Sequence, residues 1–421
     1  MALHNEIEFE KEVCEYLGSH GWLYADKTAD SYDRKLALYP PDLIAWLQES
    51  QTELWESYQQ KNGSKAEANL LQRIRDQLDQ QGTLDLLRKG IEVMGLPKAL
   101  RLAEFKPALG LNPEILARYS ANRLRVVRQV RYSLYNENSI DLVLFLNGIP
   151  VATVELKTDN TQSIEDAIWQ YKSDRLPKLA GKTPEPLLSF PSGALVHFAV
   201  STREVRMTTK LAGPATVFLP FNRGSDPGGK NCGAGNPVPV GPGYPTDYLW
   251  KEVWERESWL EILGRYCIAE RDKKKQISRI LFPRYHQLVV TRKLQEAVRE
   301  EGPGQKYLVQ HSAGSGKTNS IAWTAHFFSE LHDAADNKVF DSVLVVSDRN
   351  VIDSQLQEAL EAFERKKGVV ASITSEDGSK SGKLAQALSG DKKVVVCDVT
   401  PFAAPVLMRA RGLIKPPSIA G

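Results

Sequence analysis

Residues 311–318 read His311-Ser-Ala-Gly-Ser-Gly-Lys-Thr318, between the apolar run Lys306-Tyr-Leu-Val-Gln310 and the helix-like run Asn319-Ser-Ile-Ala-Trp-Thr-Ala-His-Phe-Phe328. This is the pattern of a phosphate-binding loop. Gly314 and Gly316, with Ser315 between them, let backbone N–H groups close around an anion. Lys317 brings charge to the β- and γ-phosphates, and the Thr318 hydroxyl can ligate Mg²⁺. His311 replaces the first glycine of the strict eight-residue pattern, while the rest of the cradle is kept. A strand before the loop and a helix after it are the context such a loop needs, so the stretch predicts an α/β domain that binds a nucleotide.

Two further strands are expected downstream, at Asp341-Ser-Val-Leu-Val-Val-Ser347 and Lys392-Lys-Val-Val-Val-Cys397. A nucleotide-driven motor also needs an acidic pair at the end of a later strand and a second lobe that supplies arginine. Neither is placed before Gly421, and Pro405-Val-Leu-Met-Arg-Ala-Arg-Gly-Leu-Ile-Lys-Pro-Pro417 reads as neither a finished strand nor a capped helix. The expectation is part of a longer motor, shortened ahead of its acidic box, that binds nucleotide but hydrolyses it poorly.

A second piece of chemistry lies upstream. Ser139-Ile-Asp-Leu-Val-Leu-Phe-Leu146 and Pro150-Val-Ala-Thr-Val-Glu-Leu-Lys157 are strand-like runs joined by Asn147-Gly148, a strong hairpin signal. Side chains alternate along a strand, so Glu155 and Lys157 share a face. A strict two-residue turn would put Asp141 on the opposite face; one extra residue, as a longer loop or a bulge, brings all three together. Converged, two carboxylates hold Mg²⁺ and Lys157 steadies the charge that develops during phosphodiester hydrolysis. The competing reading of these three residues is a solvated face. Ser163-Ile-Glu-Asp-Ala-Ile-Trp-Gln-Tyr171 follows as a helix whose Gln170 can orient the site. Arg123, Arg125, Arg128 and Arg131 make a basic patch, read either as a contact to DNA phosphates or as a solvated strand edge.

The chain has 421 residues, 42% hydrophobic and 25% charged, enough for two or three domains. With 54 basic against 52 acidic residues, no global charge points to nucleic acid, so any DNA contact is local. Cys14, Cys232, Cys267 and Cys397 are too scattered for a zinc site or a disulfide framework and fit a reducing cytoplasm. No signal pattern opens the chain, and no apolar stretch approaches the roughly 20 residues that span a bilayer. From Phe221 to Pro245, 12 of 25 residues are Gly or Pro, which argues for an exposed loop. The helix-like Tyr248–Leu263 and the basic run Arg271-Asp-Lys-Lys-Lys275 follow, and a domain boundary is expected near 265, giving domains 1–265 and 266–421.

Several stretches carry a family resemblance: Gly21-Trp-Leu-Tyr24, Phe105-Lys-Pro107, Asp141 to Thr158, Leu188-Ser-Phe-Pro-Ser-Gly-Ala-Leu-Val-His197, Phe282-Pro-Arg-Tyr-His-Gln287, the phosphate loop and Ser347-Asp-Arg349. Together they resemble the amino-terminal part of the restriction (R) subunit of type I restriction–modification systems. The resemblance implies an α/β chain: a restriction-endonuclease-like mixed sheet with helices, then a partial RecA-like lobe of a superfamily 2 translocase. It also implies Mg²⁺ and ATP as cofactors. Double-stranded DNA and the methyltransferase (M) and specificity (S) subunits are the implied partners, in the cytoplasm. Asp141, Glu155 and Lys157 fall on the PD-(D/E)xK nuclease motif. Gln170 falls near the family's Gln-x-x-x-Tyr element, with Asp174 where the tyrosine would stand and Tyr171 adjacent. Gln287 resembles an adenine-reading glutamine, with a surface glutamine as its alternative. A shortened protein that only docks on DNA or methyltransferase, and a repair nuclease–helicase, are the competing functional readings.

Overall fold

The computed structural model describes residues 2–107, 112–159, 162–226, 233–347, 350–363, 369–373, 380–390 and 392–398. Cys232, Asp348, Arg349 and the run 405–417 lie outside them, as does part of the Gly/Pro-rich stretch. Contacts divide the chain into two compact units, Met1–Tyr285 and His286–Gly421. The first unit thus extends past the composition break, because residues between 265 and 285 pack within it.

Unit 1 opens with helices α1 (Ala2–Ser19), α2 (Pro40–Ser50), α3 (Thr52–Asn62), α4 (Ala66–Gln81), α5 (Thr83–Lys89) and α6 (Pro113–Ser120). In α4, Leu70, Ile74 and Leu78 recur at every fourth position along one face and are buried in the core. A six-stranded sheet follows in the order β1 (Leu124–Arg131), β2 (Ser139–Leu146), β3 (Ile149–Lys157), β4 (Val196–Ser201), β5 (Val205–Thr208) and β6 (Leu219–Pro220). The β3–β4 pair is parallel and its neighbours antiparallel, so the sheet is mixed. Helix α7 (Ile164–Ser173) makes the β3–β4 crossover; it starts where the Asp166 carboxylate accepts the Ser163 N–H, 2.7 Å away, in a capping box. Val127, Val143, Phe145, Tyr171 and Leu187 lie in one buried cluster between sheet and helix.

The turn into β3 explains the site. Asn147 (φ 49°) and Gly148 (φ 76°) both adopt the left-handed conformation that a tight twisted hairpin requires. Leu146 pairs with Ile149 and Phe145 with Pro150, but Leu144 pairs with Ala152. One residue, Val151, is therefore extra on β3, and beyond this bulge every side chain of β3 changes face relative to β2. Register continued from Leu142↔Val154 sets Asp141 across from Glu155.

The Gly/Pro-rich stretch forms no helix or strand among its described residues. The run at 248–263 is helical but uneven, with wide turns at Leu249–Val253 and Ile262–Tyr266 around helix α8 (Arg256–Glu261). A two-stranded hairpin, β7 (Ile268–Arg271) and β8 (Ile277–Leu281), closes the unit.

Unit 2 is built on α9 (Tyr285–Glu301), α10 (Lys317–Ser329), β9 (Val343–Ser347), α11 (Asn350–Ala362), β10 (Val370–Ser372), α12 (Lys380–Ser389) and β11 (Val394–Asp398). Its three strands are parallel in the order β10-β11-β9, the α/β pattern expected of a phosphate-loop domain. The strand expected at 306–310 does not form. Leu308 is 93% exposed, and the run makes no backbone ladder with any described strand, although the outer edges of β9 and β10 carry no partner strand in the sheet. Among the described residues no helix is long and apolar enough to cross a membrane.

Candidate functional site

The bulge after Asn147-Gly148 delivers Asp141, Glu155 and Lys157 to one face at the end of the β2–β3 ladder. Past the last backbone pair, Asp141 takes over the ladder's work: its Oδ2 accepts the Leu156 N–H at 2.8 Å, and its Oδ1 accepts from Gln129 Nε2 at 3.2 Å. Gln129 sits on β1 with a left-handed backbone (φ 49°), an unusual conformation for glutamine. It holds that conformation with three side-chain bonds, to Asp141, to Glu10 Oε2 at 3.0 Å and from Ser139 at 2.9 Å.

Glu155 is fully buried. Arg175 donates through Nε to its Oε1 at 2.9 Å, and its Oε2 has no hydrogen-bond partner among the described residues. Burial pushes the Glu155 carboxyl well above the ordinary carboxylate range; the Asp141 charge adds to this, and Arg175 and Lys157 oppose it. The face can therefore take on further positive charge. Lys157 is also buried, and its Nζ bonds to Glu6 of α1. One helical turn on, Glu10 is buried against Arg128 (Nε to Oε1 2.7 Å), and burial outweighs that pairing to raise its pKa. Among the described residues no three His, Cys, Asp or Glu side chains cluster as a metal cage. A pair of carboxylates nonetheless suits Mg²⁺, which fills its other positions with water and substrate phosphate oxygens.

Gln170 lies on α7 with its side-chain Oε1 buried and unpartnered. Its backbone carbonyl accepts the N–H groups of Asp174 (2.8 Å) and Arg175 (2.9 Å), the turn from which Arg175 reaches Glu155. Tyr171 does not stand in for a site tyrosine: its hydroxyl is buried on Thr153 at 2.8 Å, within the core. Sequence reasoning missed Arg175, Gln129, Glu6 and Glu10. For the glutamates a signal existed, since positions four apart on one helix share a face.

The basic patch is resolved differently. Arg123 Nε donates to Asp42 Oδ1 at 3.1 Å, Arg125 forks onto both oxygens of the same buried carboxylate, and Arg128 is held by Glu10. In this state these three arginines neutralise buried acids of their own domain, while Arg131, the fourth of the patch, pairs with Glu137 on the exposed strand edge.

In unit 2, Gly314 (φ 72°) and Gly316 (φ 83°) supply the left-handed turns of the loop, and α10 begins at Lys317. Lys317 Nζ donates to the His311 carbonyl at 3.2 Å, across the loop. Gln287 is buried and its Nε2 donates to the Gly316 carbonyl at 3.0 Å, so in this state it braces the loop. His286 contacts the Ser315 carbonyl at 3.0 Å, and its ring meets that of His311 edge-on, 5.0 Å between centroids. Burial and the Lys317 charge hold the His311 pKa below its ordinary value. Thr318 lies on the first turn of α10, partly exposed.

Two family models match the chain. The one described as type I restriction enzyme R protein N terminus matches residues 5–216, and the SWI2/SNF2 ATPase model matches residues 286–412. A protein of Methanocaldococcus jannaschii named as a type I restriction enzyme MjaVIIIP endonuclease subunit is 24% identical over 245 residues, covering 54% of this chain and 20% of that protein. The chain therefore spans about a fifth of the length of this relative.

Proposed function

The chain belongs to the family of the type I restriction enzyme R protein N terminus, and from that premise we propose that its Asp141–Glu155–Lys157 face cleaves the phosphodiester backbone of double-stranded DNA with Mg²⁺. The observation that carries this reading is Glu155 Oε2, a fully buried carboxylate oxygen without a partner among the described residues, on the face that Asp141 and Lys157 share. A bound Mg²⁺ supplies an acidified water and neutralises charge on the scissile phosphate. The chain's own groups do the rest. Leu156 N–H and Gln129 fix the Asp141 carboxylate, and Arg175 fixes Glu155 through Oε1, leaving Oε2 for the cation. Lys157, buried and held by Glu6, places a positive charge where the pentavalent phosphate gathers negative charge. In the same reading the loop 311–318 binds ATP with Mg²⁺ on Thr318, and in the full-length protein nucleotide turnover drives DNA translocation while M and S subunits bring the sequence recognition.

The test is nicking of supercoiled plasmid by the chain assembled with its M and S subunits, ATP and Mg²⁺. Asp141→Asn, Glu155→Gln and Lys157→Ala are each expected to lower the rate by about a hundredfold or more. Undiminished cleavage in the two carboxylate variants would sink the assignment.

A further inference from the structure

The strand arginines at 123, 125 and 128 are tied to internal carboxylates. At the tip of the β7–β8 hairpin, by contrast, Lys273, Lys274 and Lys275 are consecutive and exposed. The ion pairs of this hairpin belong to its strands, Arg271 with Asp85 and Arg279 with Glu270; none of the three lysines pairs with a carboxylate among the described residues.

The tip is a hydrogen-bonded turn, and its own acid is engaged by backbone N–H groups. Asp272 Oδ1 accepts the N–H groups of Lys274 (2.8 Å) and Gln276 (3.0 Å), while its carbonyl accepts the Lys275 N–H at 2.8 Å. Those bonds leave three ammonium groups on the turn with no ion pair among the described residues, against the single carboxylate of Asp272. Lys275 also occupies the left-handed position of the turn (φ 63°), where glycine or asparagine folds with less strain. A lysine at that position keeps a charge at the expense of backbone ease.

We propose that this hairpin tip binds the phosphate backbone of duplex DNA, as a contact made by residues other than those of the Asp141–Glu155 face. The proposal rests on duplex DNA being the substrate, as argued above. A narrow two-stranded ribbon is a shape that the major groove admits. Lysine ammoniums act as point charges, without the planar fork that reads guanine, so the contact follows the phosphates and carries no sequence preference.

Fluorescence anisotropy of a 30-base-pair duplex with the full chain, in EDTA and over 50–200 mM salt, tests this without cleavage. Each phosphate contact contributes about 0.9 to the slope of log K against log salt, so Lys273→Ala/Lys274→Ala/Lys275→Ala is expected to flatten the slope by about 2.7. Over that fourfold range of salt, parent affinity then falls roughly forty-fold more than that of the variant. Lys275→Gly separates charge from folding: it removes one contact, flattening the slope by about 0.9, while relieving the left-handed strain, so its Tm rises. An unchanged slope in the triple variant overturns the proposal and leaves the lysines to an acidic protein surface; absence of salt-dependent binding by the parent overturns it equally. A flattened slope together with undiminished cleavage in Asp141→Asn would sink the nuclease reading alone.

Discussion

The Arg175 guanidinium lies 2.9 Å from Oε1 of Glu155, a carboxylate with no solvent exposure at all. Burying a carboxylate so completely is costly unless a cation accompanies it, and removing one partner of such a pair leaves an uncompensated charge. Arg175→Met is therefore expected to lower stability by about 3 kcal/mol at pH 8, measured by denaturant unfolding. If the Arg175–Glu155 pair contributes nothing to folding, the loss stays within the roughly 0.5 kcal/mol of an ordinary surface substitution.

Glu155 also makes stability depend on pH in a fixed direction. Its folded pKa is raised, chiefly by burial, so the folded state holds a proton that the unfolded chain gives up more readily. That contribution is fully present below the unfolded glutamate pKa and is lost as pH rises through the folded value. Glu155→Gln keeps the shape and removes the titration. Its Tm relative to the parent is expected to increase from pH 5 to pH 8, and a difference that is flat or falls with pH contradicts the assigned shift.

The Asp141–Glu155 face was legible in the sequence because its logic is local: alternation along two strands, and the need for one extra residue, which Val151 provides. Its supports were not. Arg175 follows the end of α7, and nothing in its sequence neighbourhood says that the chain turns back on the Gln170 carbonyl toward Glu155. The charge on Arg123, Arg125 and Arg128 could be read directly, but their partners are Asp42 and Glu10, brought in from α2 and α1 by tertiary packing. At 306–310 the apolar pattern was real, yet a strand also requires backbone pairing with a neighbour, and this run pairs with none of the described strands.

Asp42 offers a direct check on that reassignment. It is buried and receives both Arg123 and Arg125, so Asp42→Ala strands the largely buried Arg125 and leaves Arg123 only its longer pairing with Glu49. A loss of about 3–5 kcal/mol is expected. Arg125→Ala should likewise lower the Tm while leaving the salt slope of duplex binding unchanged. A flattened slope with unchanged Tm would return Arg125 to the DNA-binding role first read for it.

The nucleotide loop separates occupancy from charge. A Cβ at Gly316 would sit 2.5 Å from Gln287 Nε2, on a residue whose φ of 83° already disfavours any side chain. Gly316→Ala must displace the Gln287 amide that braces the loop, so it is expected to lower both the Tm and ATP affinity. Lys317 is exposed, and among the described residues its Nζ bonds to the His311 carbonyl. Lys317→Ala should therefore leave the Tm within about 0.5 kcal/mol of the parent while weakening binding of a fluorescent ATP analogue at least tenfold, the loss of one charge-assisted contact of about 1.5–3 kcal/mol. Equal affinity in Lys317→Ala and the parent would show that the loop, whatever its sequence pattern, does not receive phosphates.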